Sequence, residues 1–98
     1  MPPLPHTLDL ENVAKRTVWF KSPAEAIDDP IHFIAHVLTY GTYEDVTTLR
    51  KYLSEEEFIE AIDRAPAGIF DPRSWAYWNL KIGRYPTPPT PRRNFGVR

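Results

Sequence analysis

Five helix-start signals punctuate this chain, and they constrain its fold more than any other feature. Ser22-Pro23-Ala24-Glu25, Thr42 with Asp45 and Ser54 with Glu57 each set a hydroxyl three residues before a carboxylate, so side chain and backbone can cap one another. Asp29-Pro30 and Asp71-Pro72 place a capping acid before a proline, which loses no intrahelical bond at the first helical position. The first signal opens a short helix reaching Ile27. After the others, apolar residues recur at helical spacing: Ile31, Phe33, Ile34, Val37 and Leu38; then Val46, Leu49 and Leu53; then Phe58, Ile59, Ile62 and Ala65. Gly41, Pro66 with Gly68, and Gly83 supply the stops. With short links and no alternating strand pattern, the expectation is an all-α fold, a small single-domain bundle of about four main helices.

The stretch from Ile69 to Gly83 holds four of the chain's aromatics, Phe70, Trp75, Tyr77 and Trp78, and is expected to be what the rest folds around. At 100° per residue Trp75, Trp78 and Ile82 share one face, while Ala76 and Leu80 share another. Such a helix asks for burial on two sides. Tyr77 projects differently, and two readings of it stand: it packs on the N-terminal arm, or with Arg73 it forms an exposed recognition patch. Asn79 is weighed beside them as an anchoring or a recognition residue.

Prolines crowd the two ends of the chain: Pro2, Pro3 and Pro5 open it, and Pro86, Pro88, Pro89 and Pro91 close it. Residues 1–16 therefore read as a loose N-terminal arm, 17–83 as the helical domain and 84–98 as a Pro/Arg-rich extended tail. Within the arm Thr7 or Asp9 could cap a short helix through Lys15. Thr17 to Phe20 is β-branched and aromatic, favouring an extended segment that lays Trp19 or Phe20 onto the core. Charge is split as well. Residues 22–83 carry eleven acids against five bases, a net of -6, whereas 84–98 carry Arg84, Arg92, Arg93 and Arg98 and no acid. A basic tail on an acidic body can fold back or reach for an anion. The PxxP spacings in the tail read as a spacer.

Little in the sequence carries chemistry. The absence of cysteine excludes disulfides and sulfur-ligated zinc. His32 and His36, expected on the polar side of their helix, have the four-residue spacing that lets two imidazoles share a metal. The residues between them are Phe-Ile-Ala, without the glutamate of a zinc-protease helix, and His6 lies in the arm. No metal, cofactor or catalytic residue is expected, and the chain reads as a non-enzyme. Residues 42–65 have the outline of a helix-turn-helix, but Glu55, Glu56, Glu57, Glu60 and Asp63 on the second helix would repel a duplex. No apolar run approaches the ~20 residues needed to span a bilayer, and no signal peptide opens the chain, so a cytoplasmic protein is expected.

Val18-Trp19-Phe20, the run from Phe33 through Tyr40-Gly41-Thr42 to Val46, Leu49-Arg50-Lys51-Tyr52 and Trp75-Ala76-Tyr77-Trp78 together resemble a family of small uncharacterised bacterial proteins. Some of its members are encoded beside nucleotidyltransferase-like toxins of the abortive-infection type. The resemblance spans residues 17 to 83; it implies a small all-helical fold and an antitoxin-like or accessory role, and transfers no catalytic residue. The resulting expectation is an interaction protein that binds a protein partner, or itself, through Glu55, Glu56 and Glu60 and through Arg73 and Tyr77. The alternative is a nucleic-acid-binding regulator that uses Arg92 and Arg93 of the tail.

Overall fold

The computed structural model describes residues 3–91, and among these the chain is all-helical. Six helices follow one another: α1 (Leu8–Thr17), α2 (Pro23–Ile27), α3 (Pro30–Tyr40), α4 (Tyr43–Arg50), α5 (Glu55–Asp63) and α6 (Pro72–Lys81). The three expected capping boxes all form, at Ser22, Thr42 and Ser54, each with the serine or threonine oxygen accepting from the backbone of the third helical residue and that residue's carboxylate accepting from the cap amide. Asp71 accepts from the Ser74 amide at 2.7 Å, with Pro72 at the first helical position. Asp29 stands before Pro30 as expected but makes no side-chain cap bond.

The organising element is α3 and not the aromatic α6. Phe33 through Leu38 are six consecutive buried residues, and α3 packs against all five other helices. A helix apolar nearly all round needs neighbours on every side. In contrast α6 buries one face: Trp75 and Asn79 are buried, Trp78 and Ile82 half-buried, and Leu80 is 58% exposed. Asn79 Nδ2 donates to the Trp75 carbonyl one turn back at 2.9 Å, so this buried amide anchors the helix and is not available for recognition.

Among the described residues the N-terminal arm is packed on the domain from Leu4 onward and not loose. Its prolines all precede Thr7, which caps α1, and Leu10, Val13, Ala14 and Thr17 form a buried stripe that packs on α2, α3 and α4. Because Val18 continues that stripe, one turn after Ala14, it takes the core position that Trp19 or Phe20 was expected to fill; Trp19 is 71% and Phe20 54% exposed.

The start of the tail folds back as well. Trp75 Nε1 donates to the Pro88 carbonyl at 2.8 Å, and Arg84 pairs with Asp63 through both guanidinium nitrogens.

Gly41 closes α3 with φ -81, so left-handed backbone is not why glycine stands there. A Cβ at this position would lie 2.6 Å from the Val37 carbonyl oxygen in the last turn of α3 itself, with Asp45 Cβ of α4 next at 3.1 Å, so the end of the helix has no room for a side chain. Gly68 and Gly83, at φ 91 and 86, do use the left-handed region. No helix among the described residues is long and apolar enough to cross a membrane.

Candidate interaction groove

α4 packs on α1 and α3, and α6 packs on α3, which leaves a gap between α4 and α6. Helical periodicity decides what lines it. Tyr43, Val46, Thr47 and Arg50 are spaced three, four and seven residues along α4; Arg73 with Ser74, Tyr77 with Trp78, and Lys81 mark successive turns of α6. Leu38, Gly41 and Thr42 complete a half-open groove of about 600 Å³, within the size range of ligand and anchor-residue pockets.

The floor is fixed and the walls are polarised. Trp78 Nε1 donates to the Leu38 carbonyl at 2.8 Å, tying α6 to the end of α3. Phe58 and Tyr77 meet the Trp78 ring edge-to-face at 5.8 and 4.9 Å. Tyr43 is 82% and Tyr77 51% exposed. Three cations and no carboxylate line the groove. Arg50 lies over the Phe58 ring, 4.2 Å from its centroid, and pairs with Glu55 at 2.5 Å. Lys81 sits 5.4 Å from the Tyr77 ring centroid. Arg73 is exposed and makes no ion pair among the described residues. The lining thus offers π-faces and positive charge.

Of the residues expected to bind a partner, Arg73 and Tyr77 come together in this groove, one turn apart. Glu55 reaches its rim only through Arg50. Glu60 is half-buried and accepts from Arg64 at 3.0 Å, a hydrogen bond that lowers its pKa, while Glu56 stands exposed on the first turn of α5. The acidic face is therefore largely tied up locally: Glu57 is held in its capping box and Asp63 by Arg84. Arg92 and Arg93 lie outside the described residues. Tyr43, Arg50 and Lys81 went unrecognised in the sequence, although the i, i+4, i+7 recurrence of Tyr43, Thr47 and Arg50 is a readable polar-aromatic stripe.

A second aromatic surface covers α3. Trp19 contacts Phe20 and Tyr40 edge-on at 5.5 and 6.4 Å, and Phe20 lies over His36 at 5.5 Å. His36 is buried, contrary to the polar placement expected for it, because Phe20 caps this side of α3. Its Nδ1 pairs with the His32 carbonyl oxygen at 3.0 Å, and the two imidazole centroids are 4.3 Å apart. No group of three metal-ligating side chains occurs among the described residues.

Burial, followed by the neighbouring His36 and Lys21, pushes the His32 pKa down against the opposing pull of Asp29. A histidine harder to protonate folded than unfolded binds more protons in the unfolded state, so it costs stability as pH falls below about 6.5. Thermal melting between pH 7.5 and 5.5 should therefore show stability declining with acidification, and His32→Gln should flatten that slope. An unchanged slope would assign it elsewhere.

Comparison of the chain with protein-family models, curated proteins and solved structures returned no match.

Proposed function

We propose that this chain is a non-enzymatic protein-interaction module, acting in the bacterial cytoplasm, whose partner docks in the groove between α4 and α6. The observation that carries this reading is the pairing of exposed Tyr77 and Arg73 on a rigid helix, opposite Tyr43 and over a partly apolar floor. Tyrosine and arginine dominate binding energy at protein interfaces, and an anchor held by a packed helix loses little entropy on docking. The motif resemblance adds the kind of partner, a nucleotidyltransferase-like toxin encoded alongside, and with it an antitoxin-like or accessory role. The alternative is a nucleic-acid-binding regulator that uses Arg92 and Arg93 of the tail, and salt-sensitive DNA binding that is lost on removal of residues 84–98 would favour it.

The test is co-expression of the tagged chain with the neighbouring gene product in the native host. Tyr77→Ala with Arg73→Ala should lower recovery of the partner by ~30-fold or more, the effect of losing a hot spot, with the melting temperature of the isolated protein preserved. Recovery at the wild-type level would remove the groove from the interface.

A further inference from the structure

The charges of the groove specify more than that something binds. Arg50 is already compensated by Glu55, which leaves Arg73 and Lys81 as the cations a ligand would meet first. They stand eight residues apart on one helix, a separation of ~12 Å along its axis. Tyr77 lies midway between them and faces the same opening as Tyr43 and Trp78. Cation, aromatic, cation is thus the order along the α6 wall.

We infer that the occupant is a short acidic segment of a partner protein, carrying two carboxylates ~12 Å apart with an aromatic or branched apolar anchor between them. This rests on the interaction reading above and adds the chemistry of the partner. In an α-helical segment that spacing corresponds to acids ~7–8 residues apart, and in an extended one to ~4 residues, at the respective rises per residue. The anchor settles against Tyr77 and Tyr43, and the carboxylates meet Arg73 and Lys81. A continuous polyanion fits less well. Glu44 follows Tyr43 in α4, Glu55 holds Arg50, and Glu56 is exposed beside it, so phosphates running beyond the groove would meet carboxylates.

The probe is a labelled alanine-rich helical peptide with two glutamates two turns apart and Phe-Leu between them, titrated against the full chain by fluorescence anisotropy. Its comparators are a twin with lysine at both acidic positions, a twin with alanine for Phe-Leu, and a labelled oligothymidylate. The acidic peptide should bind at least ~10-fold tighter than either twin, weaken as salt is raised, and lose its preference to the lysine twin when Arg73→Glu and Lys81→Glu are combined. The neutral pair Arg73→Gln with Lys81→Gln should abolish the preference without reversing it, in a protein whose melting temperature is retained.

Equal binding of the acidic and lysine peptides would overturn the inference, as would absence of binding by all of them or tighter binding of the oligothymidylate. None of these results would restore partner recovery to the Tyr77→Ala, Arg73→Ala variant in co-expression. A failed charge preference is therefore distinguishable from a failed interaction reading.

Discussion

Phe58→Ala should destabilise the domain by ~3–5 kcal/mol, read from urea unfolding followed by tryptophan fluorescence. Phe58 is fully buried in α5, and its ring touches two groove residues at once: the Trp78 indole at 5.8 Å and the Arg50 guanidinium at 4.2 Å from its centroid. Truncation would remove the transfer free energy of the ring, leave a cavity that α3 and α6 fill only by shifting, and strip Arg50 of its cation-π support. For a domain of this length, whose whole stability is expected to be about 5–15 kcal/mol, that is a large share. Phe58→Leu should cost less than ~1.5 kcal/mol because most of the volume is kept. A loss below ~1 kcal/mol for Phe58→Ala would mean that α5 does not support the groove.

The contrast between what the sequence made legible and what it did not follows the range of the interactions. Ser22 with Glu25, Thr42 with Asp45 and Ser54 with Glu57 are local devices, complete within four residues, and each formed as its spacing required. The all-α fold followed from them. Val18, Trp19 and Phe20 are consecutive, and which of them enters the core depends on the phase inherited from α1. That phase selects Val18, and the two larger rings turn out over α3. Assigning large aromatics to the interior by size alone fails wherever helix phase opposes it, since apolar side chains contribute much of any folded surface. Asn79 is the converse: it shares the inner face of α6 with Trp75 and is buried despite its polarity, satisfied by a carbonyl one turn away.

The groove illustrates the same limit at longer range. Arg73 and Tyr77 were legible as a pair because they lie one turn apart. Their convergence with Tyr43 and Arg50 depends on α4 and α6 both leaning on α3 across the gap, and no local pattern encodes that. The central role of α3 was obscured for a related reason. Its run from Phe33 to Leu38 looks like an ordinary amphipathic helix until His36 is seen to be covered by Phe20.

The long-range pair between Arg16 and Asp45 gives the second large expected effect. Asp45 has its side chain 2% exposed, whereas that of Arg16 is 55% exposed. Arg16 Nε donates to Asp45 Oδ1 at 3.0 Å and a second guanidinium nitrogen also contacts it, while Oδ2 accepts from the Thr42 amide at 3.1 Å. Arg16→Ala would leave a buried carboxylate with only its cap bond, at a cost of about 3 kcal/mol. That is the low end for breaking a buried pair, because the Thr42 amide still donates and the arginine was screened by water. Asp45→Asn, which keeps a carbonyl oxygen for the cap and strands no charge, should cost less.

The pH dependence separates a broken pair from general loosening. Burial pushes the Asp45 carboxyl up, but the Arg16 and Thr42 hydrogen bonds outweigh it and hold the pKa below its usual 3.8. In the wild type its contribution is present above the unfolded pKa and is lost as pH falls through the lower folded value. Asp9, held to about 2 first by Thr7 and then by Tyr52, acts in the same direction. Arg16→Ala removes the strongest of the contacts that hold the Asp45 pKa down, so the carboxyl takes up its proton at higher pH in the folded variant than in the folded wild type. The stability difference between wild type and Arg16→Ala should therefore shrink as pH is lowered from 7 toward 3; parallel profiles would show that Asp45 stays solvated when Arg16 is gone. Since Asp45 fixes Thr42 at the start of α4, immediately before Tyr43, the variant should also weaken partner recovery at neutral pH. Unlike the stability loss, that weakening would show Arg16, on the far side of α4, to be a positioning residue for the groove.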